Sequence, residues 1–264
     1  MLDYFKNIFI YLLAYLPPLV VFIIFSNRNK TNRVVLFFIS ILYLFLSIWT
    51  VYYTINLIPL IFTLIDINYL RKFNARYKRG LSENENMSEY MNNELYINDD
   101  YSIYGFSIRN FNFLKGIKYI AITYLVVYIV QIMSYVLINA MGSNPTQQEI
   151  VTDLMGNSLF KFLIMMPMIV VFAPIVEEFV FRWIIFEKIL KDRAGLLIAA
   201  ILSSMLFGLA HFNVSSFIGI SVLGFINCFL IEKKGYWYSV FNHGAFNLIM
   251  CILMLLQKTN ILKI

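Results

Sequence analysis

KFLIMMPMIVVFAPIVEEFVFRWIIFEK, residues 161–188, places two adjacent glutamates and an arginine in the middle of a largely apolar run. A run of about 20 such residues is long enough to cross the hydrocarbon core of a bilayer as a helix. Charged side chains are costly there, so those that occur usually face the protein interior and mark a functional site. The stretch therefore predicts a transmembrane helix with a polar site at Glu177, Glu178 and Arg182.

The whole chain has a composition typical of membrane proteins. Of its 264 residues, 60% are hydrophobic and 14% are charged, and the mean hydropathy is +0.73. Soluble domains are about half apolar and a quarter charged. Apolar runs recur from end to end, which predicts an all-α, polytopic transmembrane helical bundle with about eight spans. The predicted spans are 8–25, 34–53, 55–70, 117–139, 160–187, 195–212, 214–231 and 236–256.

Basic residues occur in alternate loops, after the first, third, fifth and seventh spans. The positive-inside rule places those loops in the cytoplasm and both chain ends outside. The net charge of +6 is therefore attributed to the cytoplasmic loops, and membrane lipid is an expected partner. We expect no nucleic-acid partner, since no soluble basic face with base-stacking aromatics is present. The abundance of Ile, Asn, Lys, Tyr and Phe fits an AT-rich genome, which favours a bacterial plasma membrane.

One sizeable polar segment interrupts the apolar pattern and divides the chain into three parts. Residues 71–116 begin with basic residues and continue with acidic and Asn-rich sequence. Such a composition predicts a solvated cytoplasmic insertion. It separates a three-span N-terminal region, 1–70, from a five-span C-terminal region, 117–264.

Of the three charged residues between 177 and 182, two are spaced to form an ion pair and one is not. Glu178 and Arg182 are four apart and share one helix face, which favours an ion pair. Glu177 points about 100° away around the helix and has no evident partner. A carboxylate in that position suits proton transfer with water. The alternative is an ion cluster that only holds helices together.

The chain has two histidines, His211 and His243, and both lie in late apolar runs. Phe207 precedes His211 by four residues, and Asn247 follows His243 by four. Each pair is therefore expected to share a helix face. A single buried histidine is more often a hydrogen-bonded structural residue than a catalyst. Two of them beside a buried glutamate pair favour a site.

These three motifs, Glu177-Glu178-x-x-x-Arg182, Phe207-x-x-x-His211 and His243-x-x-x-Asn247, resemble the motifs of the CPBP family of intramembrane proteases. That family includes the type-II CAAX prenyl proteases and the bacterial Abi proteins. The resemblance covers about residues 160–250. It implies that Glu177 and His211 activate a water, that His243 and Asn247 stabilise the oxyanion, and that Glu178, Arg182 and Phe207 support them.

The resemblance leaves the metal content open, since the family is often described as metallo-endopeptidases. Two histidines and a glutamate are a donor set that zinc accepts, which would here mean Glu177, His211 and His243. No H-E-x-x-H motif is present, and asparagine is a poor zinc ligand. We therefore expect a glutamate-activated water and no cofactor, with zinc as the alternative.

Three functions are compatible with an intramembrane polar cluster. The first is an endopeptidase acting on a membrane-associated peptide or protein. The second is a non-catalytic membrane scaffold or bacteriocin-immunity protein. The third, a transporter with a proton relay, is disfavoured because the sequence shows no repeat symmetry and no matched pair of broken spans.

Overall fold

The computed structural model describes residues 8–50, 57–83 and 105–261, and the regular structure in these ranges is entirely helical. The helices in chain order are α1 (Ile8–Arg28), α2 (Arg33–Thr50), α3 (Leu57–Glu83), α4 (Phe113–Ala140), α5 (Glu149–Gly156), α6 (159–190), α7 (Lys191–Leu209), α8 (Val214–Lys234) and α9 (Tyr236–Lys258).

The predicted all-α membrane bundle is confirmed, and the protein is a multi-pass membrane protein. Five helical stretches within the described residues are long and apolar enough to cross a bilayer. They are α1, α4, the joined α6 and α7 (Leu159–Leu209), α8 and α9. Helix α2 is apolar but shorter, and α3 becomes polar toward its end. The described residues of the eight predicted spans fall on these helices, except for 210–212, which form the turn after α7. The predicted spans 160–187 and 195–212 share the stretch Leu159–Leu209.

Gly195, inside the range of α7, breaks the helix and reverses the chain direction after α6. Its φ of 75° and ψ of 165° are non-helical, and glycine adopts them without the steric penalty of a side chain. Helix α7 consequently returns along α6, and the Ser203 hydroxyl donates to the carbonyl of Phe181 at 2.6 Å. The long apolar stretch is therefore two packed helices.

Helix α6 is irregularly wound around the charged motif. Met168–Phe172 and Glu178–Leu190 are π-helical, and the α-helical turn Ala173–Glu177 lies between them. Pro174, in that turn, has no backbone N–H to donate. π-Helical segments inside α-helices occur frequently at functional sites.

The predicted polar insertion, 71–116, is described only at its two ends. Its first residues continue α3 as far as Glu83, and residues 84–104 lie outside the described part of the chain. At its other end, Phe106 is 3% exposed and packs against Trp183 and Tyr236. The end of the insertion is therefore part of the fold, while its solvated middle stays a prediction.

A single hydrophobic core connects the N-terminal helices with the C-terminal bundle. It includes Phe25 of α1, Ile67 of α3 and Val176 of α6, each almost fully buried. Helix α3 also packs against Ala173–Glu177, the turn that ends with the first glutamate of the motif. The N-terminal helices thus support the segment that carries the candidate site.

Candidate active site

Glu178 is the centre of a fully buried polar cluster between α6, α8 and α9. Its carboxylate forms the predicted ion pair with Arg182, at 3.2 Å from Nε. It also accepts hydrogen bonds from the amide of Asn227 on α8, at 3.0 Å, and from the hydroxyl of Ser239 on α9. His243 Nδ1 lies 2.8 Å from its Oε1. Four partners on three helices satisfy this charge, as a buried carboxylate requires.

The guanidinium of Arg182 lies close to an aromatic ring and to a glycine. Its Cζ is 4.1 Å from the centre of the Phe207 ring, a cation–π geometry. A Cβ on Gly224 would lie 3.2 Å both from Nη2 and from Cδ1 of Phe207. Since Arg182 and Glu178 are both 0% exposed, each neutralises the other where water cannot reach.

His243 lies between the two adjacent glutamates. Its Nδ1 bonds to Glu178, and its Nε2 is 3.7 Å from Oε2 of Glu177. The latter distance is too long for a direct hydrogen bond but short enough for a bridging molecule. The Glu177 side chain is 21% exposed, in contrast to Glu178. The two acids therefore have different environments: one is a buried anchor and the other is accessible.

His211 lies in the turn that follows α7, not within the helix as its predicted span implied. The helix ends at Leu209, and Phe212 has a φ of 47°. His211 Nδ1 is 2.8 Å from the carbonyl oxygen of Phe207, one of the unpaired carbonyls at the helix end. A carbonyl only accepts, so Nδ1 carries the proton, and Nε2 of the neutral ring is left as an acceptor.

The ring of Phe207 connects the two imidazoles. Its centre is 4.8 Å from that of His211 and 5.5 Å from that of His243, with both pairs edge-to-face. His211 is also near enough to Glu177 and His243 to interact with them electrostatically. The two histidines thus lie against one aromatic side chain, and His243 also lies beside both glutamates.

Asn247 fastens α9 to the irregular part of α6. Its side-chain amide donates to the carbonyl oxygen of Ile169 at 2.9 Å. In the π turn, the N–H of Ala173 bonds to Met168 O, so the next residue would donate to Ile169 O. That residue is Pro174, which cannot donate. Asn247 therefore supplies the missing donor with one of its two amide hydrogens.

Three residues of the cluster were missed in the sequence: Asn227, Ser239 and Asn242. Asn227 also accepts a hydrogen bond from Asn242 at 2.7 Å. All three are at most 1% exposed. A buried asparagine in an apolar span is a usable signal, since intramembrane polar side chains usually hydrogen-bond between helices. The signal does not say which charged group is the partner.

The site resembles a metal centre in one respect and differs from it in another. Both histidines direct Nδ1 at an oxygen, an arrangement common to metal ligands and to oriented general bases. Yet among the described residues no three His, Cys, Asp or Glu side chains converge closely enough to hold a metal ion. As placed, Glu177, His211 and His243 do not fit a zinc site.

Residues 159–249 match the family profile described as "Type II CAAX prenyl endopeptidase Rce1-like". They comprise α6 to α8 and the first part of α9, including all three motifs. This region is similar to the CAAX-protease family, and we call it the CAAX-protease region. The CAAX-protease region is thus the part of the chain that carries Glu177, His211, His243 and Asn247.

A curated relative supports the same assignment. The chain is 32% identical over 92 residues to a Bacillus subtilis protein named "Putative membrane peptidase YdiL". The match covers 34% of this chain and 37% of that relative, so the two are compared over about a third of their lengths. No solved structure matches the chain. Helices α1 to α5 lie outside the matched family region.

Proposed function

We propose that the protein is an intramembrane endopeptidase that hydrolyses a peptide bond of a membrane-associated peptide or protein. The observation that supports this most directly is the position of His243, held by Glu178 at Nδ1 and facing Glu177 with Nε2 at 3.7 Å. An accessible carboxylate beside two oriented imidazoles suits the binding and deprotonation of water.

In the proposed reaction, Glu177 accepts a proton from a water that also donates to Nε2 of His211. The resulting hydroxide attacks the carbonyl carbon of the substrate. The oxyanion then accepts hydrogen bonds from Nε2–H of His243, with both ring nitrogens protonated, and from the second amide hydrogen of Asn247. Glu177 passes its proton to the amide nitrogen, the C–N bond breaks, and an amine and a carboxylic acid leave.

The competing function is a membrane scaffold without chemistry, and the Glu178 cluster alone fits it. Glu178, Arg182, Asn227 and Ser239 hold three helices together whether or not a substrate binds. Glu177 has no such partner within the described ranges, because its contact with His243 is longer than a hydrogen bond. Glu177 is therefore the residue whose replacement separates the two functions.

The test compares the full-length protein with Glu177→Gln in lipid nanodiscs. Each protein is incubated with membranes of an expression host that lacks it. In a parallel reaction each is incubated with a prenylated CAAX peptide, which represents the substrate class that the family description names. New chain ends are mapped by terminal labelling and mass spectrometry. We expect cleavage by the wild type and a loss of at least about 100-fold in Glu177→Gln.

The matched control is Asp153→Asn, which removes an exposed carboxylate on α5 and should cleave like the wild type. Equal cleavage by Glu177→Gln and the wild type would contradict the proposal and favour the scaffold. Cleavage of host peptides without cleavage of the prenylated peptide would assign a different substrate class to the same site.

We also propose that both chain ends lie outside a bacterial plasma membrane. The alternating basic loops support this orientation. A membrane-impermeant maleimide should label Ser143→Cys, in the exposed loop after α4, in intact cells. It should not label Asn29→Cys, in the loop between α1 and α2. The opposite labelling would reverse the orientation.

A further inference from the structure

A second buried polar cluster lies among α1, α2 and α3, outside the CAAX-protease region. At its centre Asp66 of α3 is 0% exposed, and neither of its carboxylate oxygens has a hydrogen-bond partner among the described residues. Thr63 is also 0% exposed, and its hydroxyl has no partner in the same part of the chain. The two residues are three apart on one helix, so their side chains lie on the same face.

The neighbours of this face supply oxygens but no counter-charge. Tyr43 of α2 interacts electrostatically with Asp66 and with two tyrosines of α1, Tyr11 and Tyr15. Its hydroxyl donates to the carbonyl of Tyr15, which leaves the lone pairs of that hydroxyl available. No Lys, Arg or His among the described residues pairs with Asp66.

We propose that Asp66 and Thr63 form a binding site for a small monovalent cation, sodium or potassium, with the Tyr43 hydroxyl as a further oxygen ligand. An ionised carboxylate without a partner is costly in a membrane interior, and a bound cation supplies the missing partner. Carboxylate and hydroxyl oxygens are ligands that hard cations prefer.

The charge of the site selects a monovalent ion. One carboxylate balances one positive charge, whereas a divalent ion would leave a net charge in a region of low dielectric constant. A proton is the competing occupant. A protonated Asp66 would still lack a hydrogen-bond partner in this placement, because none is present for either oxygen among the described residues. A cation between Asp66 and Thr63 would give both of these groups a partner, which favours the metal ion over the proton.

The site is independent of the proposed peptidase chemistry. Tyr43 and Asp66 belong to helices that precede the family region, and none of the three catalytic motifs contributes a ligand. Loss of cation binding would therefore leave the peptidase proposal untouched, and an inactive Glu177→Gln protein should still bind the cation.

The experiment measures the thermal stability of the full-length protein in detergent while sodium or potassium chloride replaces choline chloride at constant ionic strength. A ligand that binds the folded state raises the melting temperature. We expect a saturable rise of a few degrees in the wild type with at least one of the two ions. Binding of radioactive sodium or of rubidium, as a potassium probe, should reach one ion per chain.

Three variants decide whether the ion binds at Asp66. Asp66→Asn should lose the rise and the bound ion, and Thr63→Val should raise the half-saturating concentration about tenfold, the change expected for one lost ligand. Asp153→Asn should keep both responses. A wild-type melting temperature that depends on pH but on neither cation would assign the site to a proton and overturn the proposal. Equal cation responses in wild type and Asp66→Asn would also overturn it.

Discussion

Nδ1 of His243 lies 2.8 Å from Oε1 of Glu178, so the second acid of the motif orients the imidazole that faces the first. The adjacent glutamates therefore have separate tasks. The carboxylate of Glu178 is 0% exposed and is fully paired with Arg182 and three hydrogen-bond donors, while the carboxylate of Glu177 is accessible. Replacing each glutamate should have a different effect.

Glu178→Gln should destabilise the protein far more than Glu177→Gln. The first change leaves the buried Arg182 without its counter-charge, and breaking one side of a buried pair costs about 3–5 kcal/mol. The second removes a partly exposed charge that has no close partner, which should cost less than about 1 kcal/mol. Unfolding of both variants in detergent, followed by helix content, measures the difference. Equal destabilisation would contradict the assignment of Glu178 as the anchor.

His211→Asn should abolish cleavage without unfolding the protein. The shorter amide can still donate to the Phe207 carbonyl and keep the helix end capped, but it has no group at the place of Nε2. We expect kcat to fall by at least about 100-fold, the usual effect of losing a proton acceptor. The melting temperature should stay near that of the wild type. Retained cleavage in a folded variant would remove His211 from the mechanism.

The helical bundle and the Glu178–Arg182 pair could be predicted because both depend on local rules. Apolar run length determines whether a segment spans the bilayer, and a four-residue spacing brings two charges together on one helix. The exact end of α7 could not be predicted. A turn begins after Leu209, so His211 contacts Phe207 through the backbone carbonyl.

The contacts between helices could not be predicted from the sequence. Nothing in the order of residues indicates that Asn227 and Ser239, 49 and 61 positions away, meet at Glu178. The order of residues also does not indicate that Nδ1 of His243 bonds to Glu178 while Nε2 faces Glu177. These choices depend on how α8 and α9 pack against α6, which one sequence does not determine.

Gly244→Ala should impair both stability and cleavage. A Cβ at this position would lie 2.6 Å from the carbonyl oxygen of Val170, so α9 would have to move away from α6. That movement would displace the neighbouring His243. Overpacking of this kind costs about 1–3 kcal/mol. Gly156→Ala is the matched control, since nothing lies within 4 Å of its Cβ, and it should behave like the wild type. Normal cleavage by Gly244→Ala would show that the helix contact is adjustable.

Cleavage should survive removal of divalent metal ions. Glu177, His211 and His243 do not converge on a common point, so we expect less than one zinc per purified chain and no loss of activity with a chelator. Elemental analysis of the wild type and Glu177→Gln, with cleavage measured before and after chelation, tests this. Stoichiometric zinc that leaves together with the activity would overturn the metal-free reaction and require the three side chains to move together.

Asn247→Ala should have two separable effects, one on the fold and one on cleavage. It removes the donor to the Ile169 carbonyl, and an unsatisfied buried acceptor costs about 1–3 kcal/mol. Pro174→Ala restores a backbone N–H that can serve the same carbonyl, so the double variant should recover stability relative to Asn247→Ala. Cleavage should not recover, because the amide hydrogen proposed for the oxyanion is still missing. Pro174→Ala alone is the control for the lost proline ring. If cleavage returned with stability in the double variant, Asn247 would be a residue that positions α9 against α6, and the oxyanion would depend on His243.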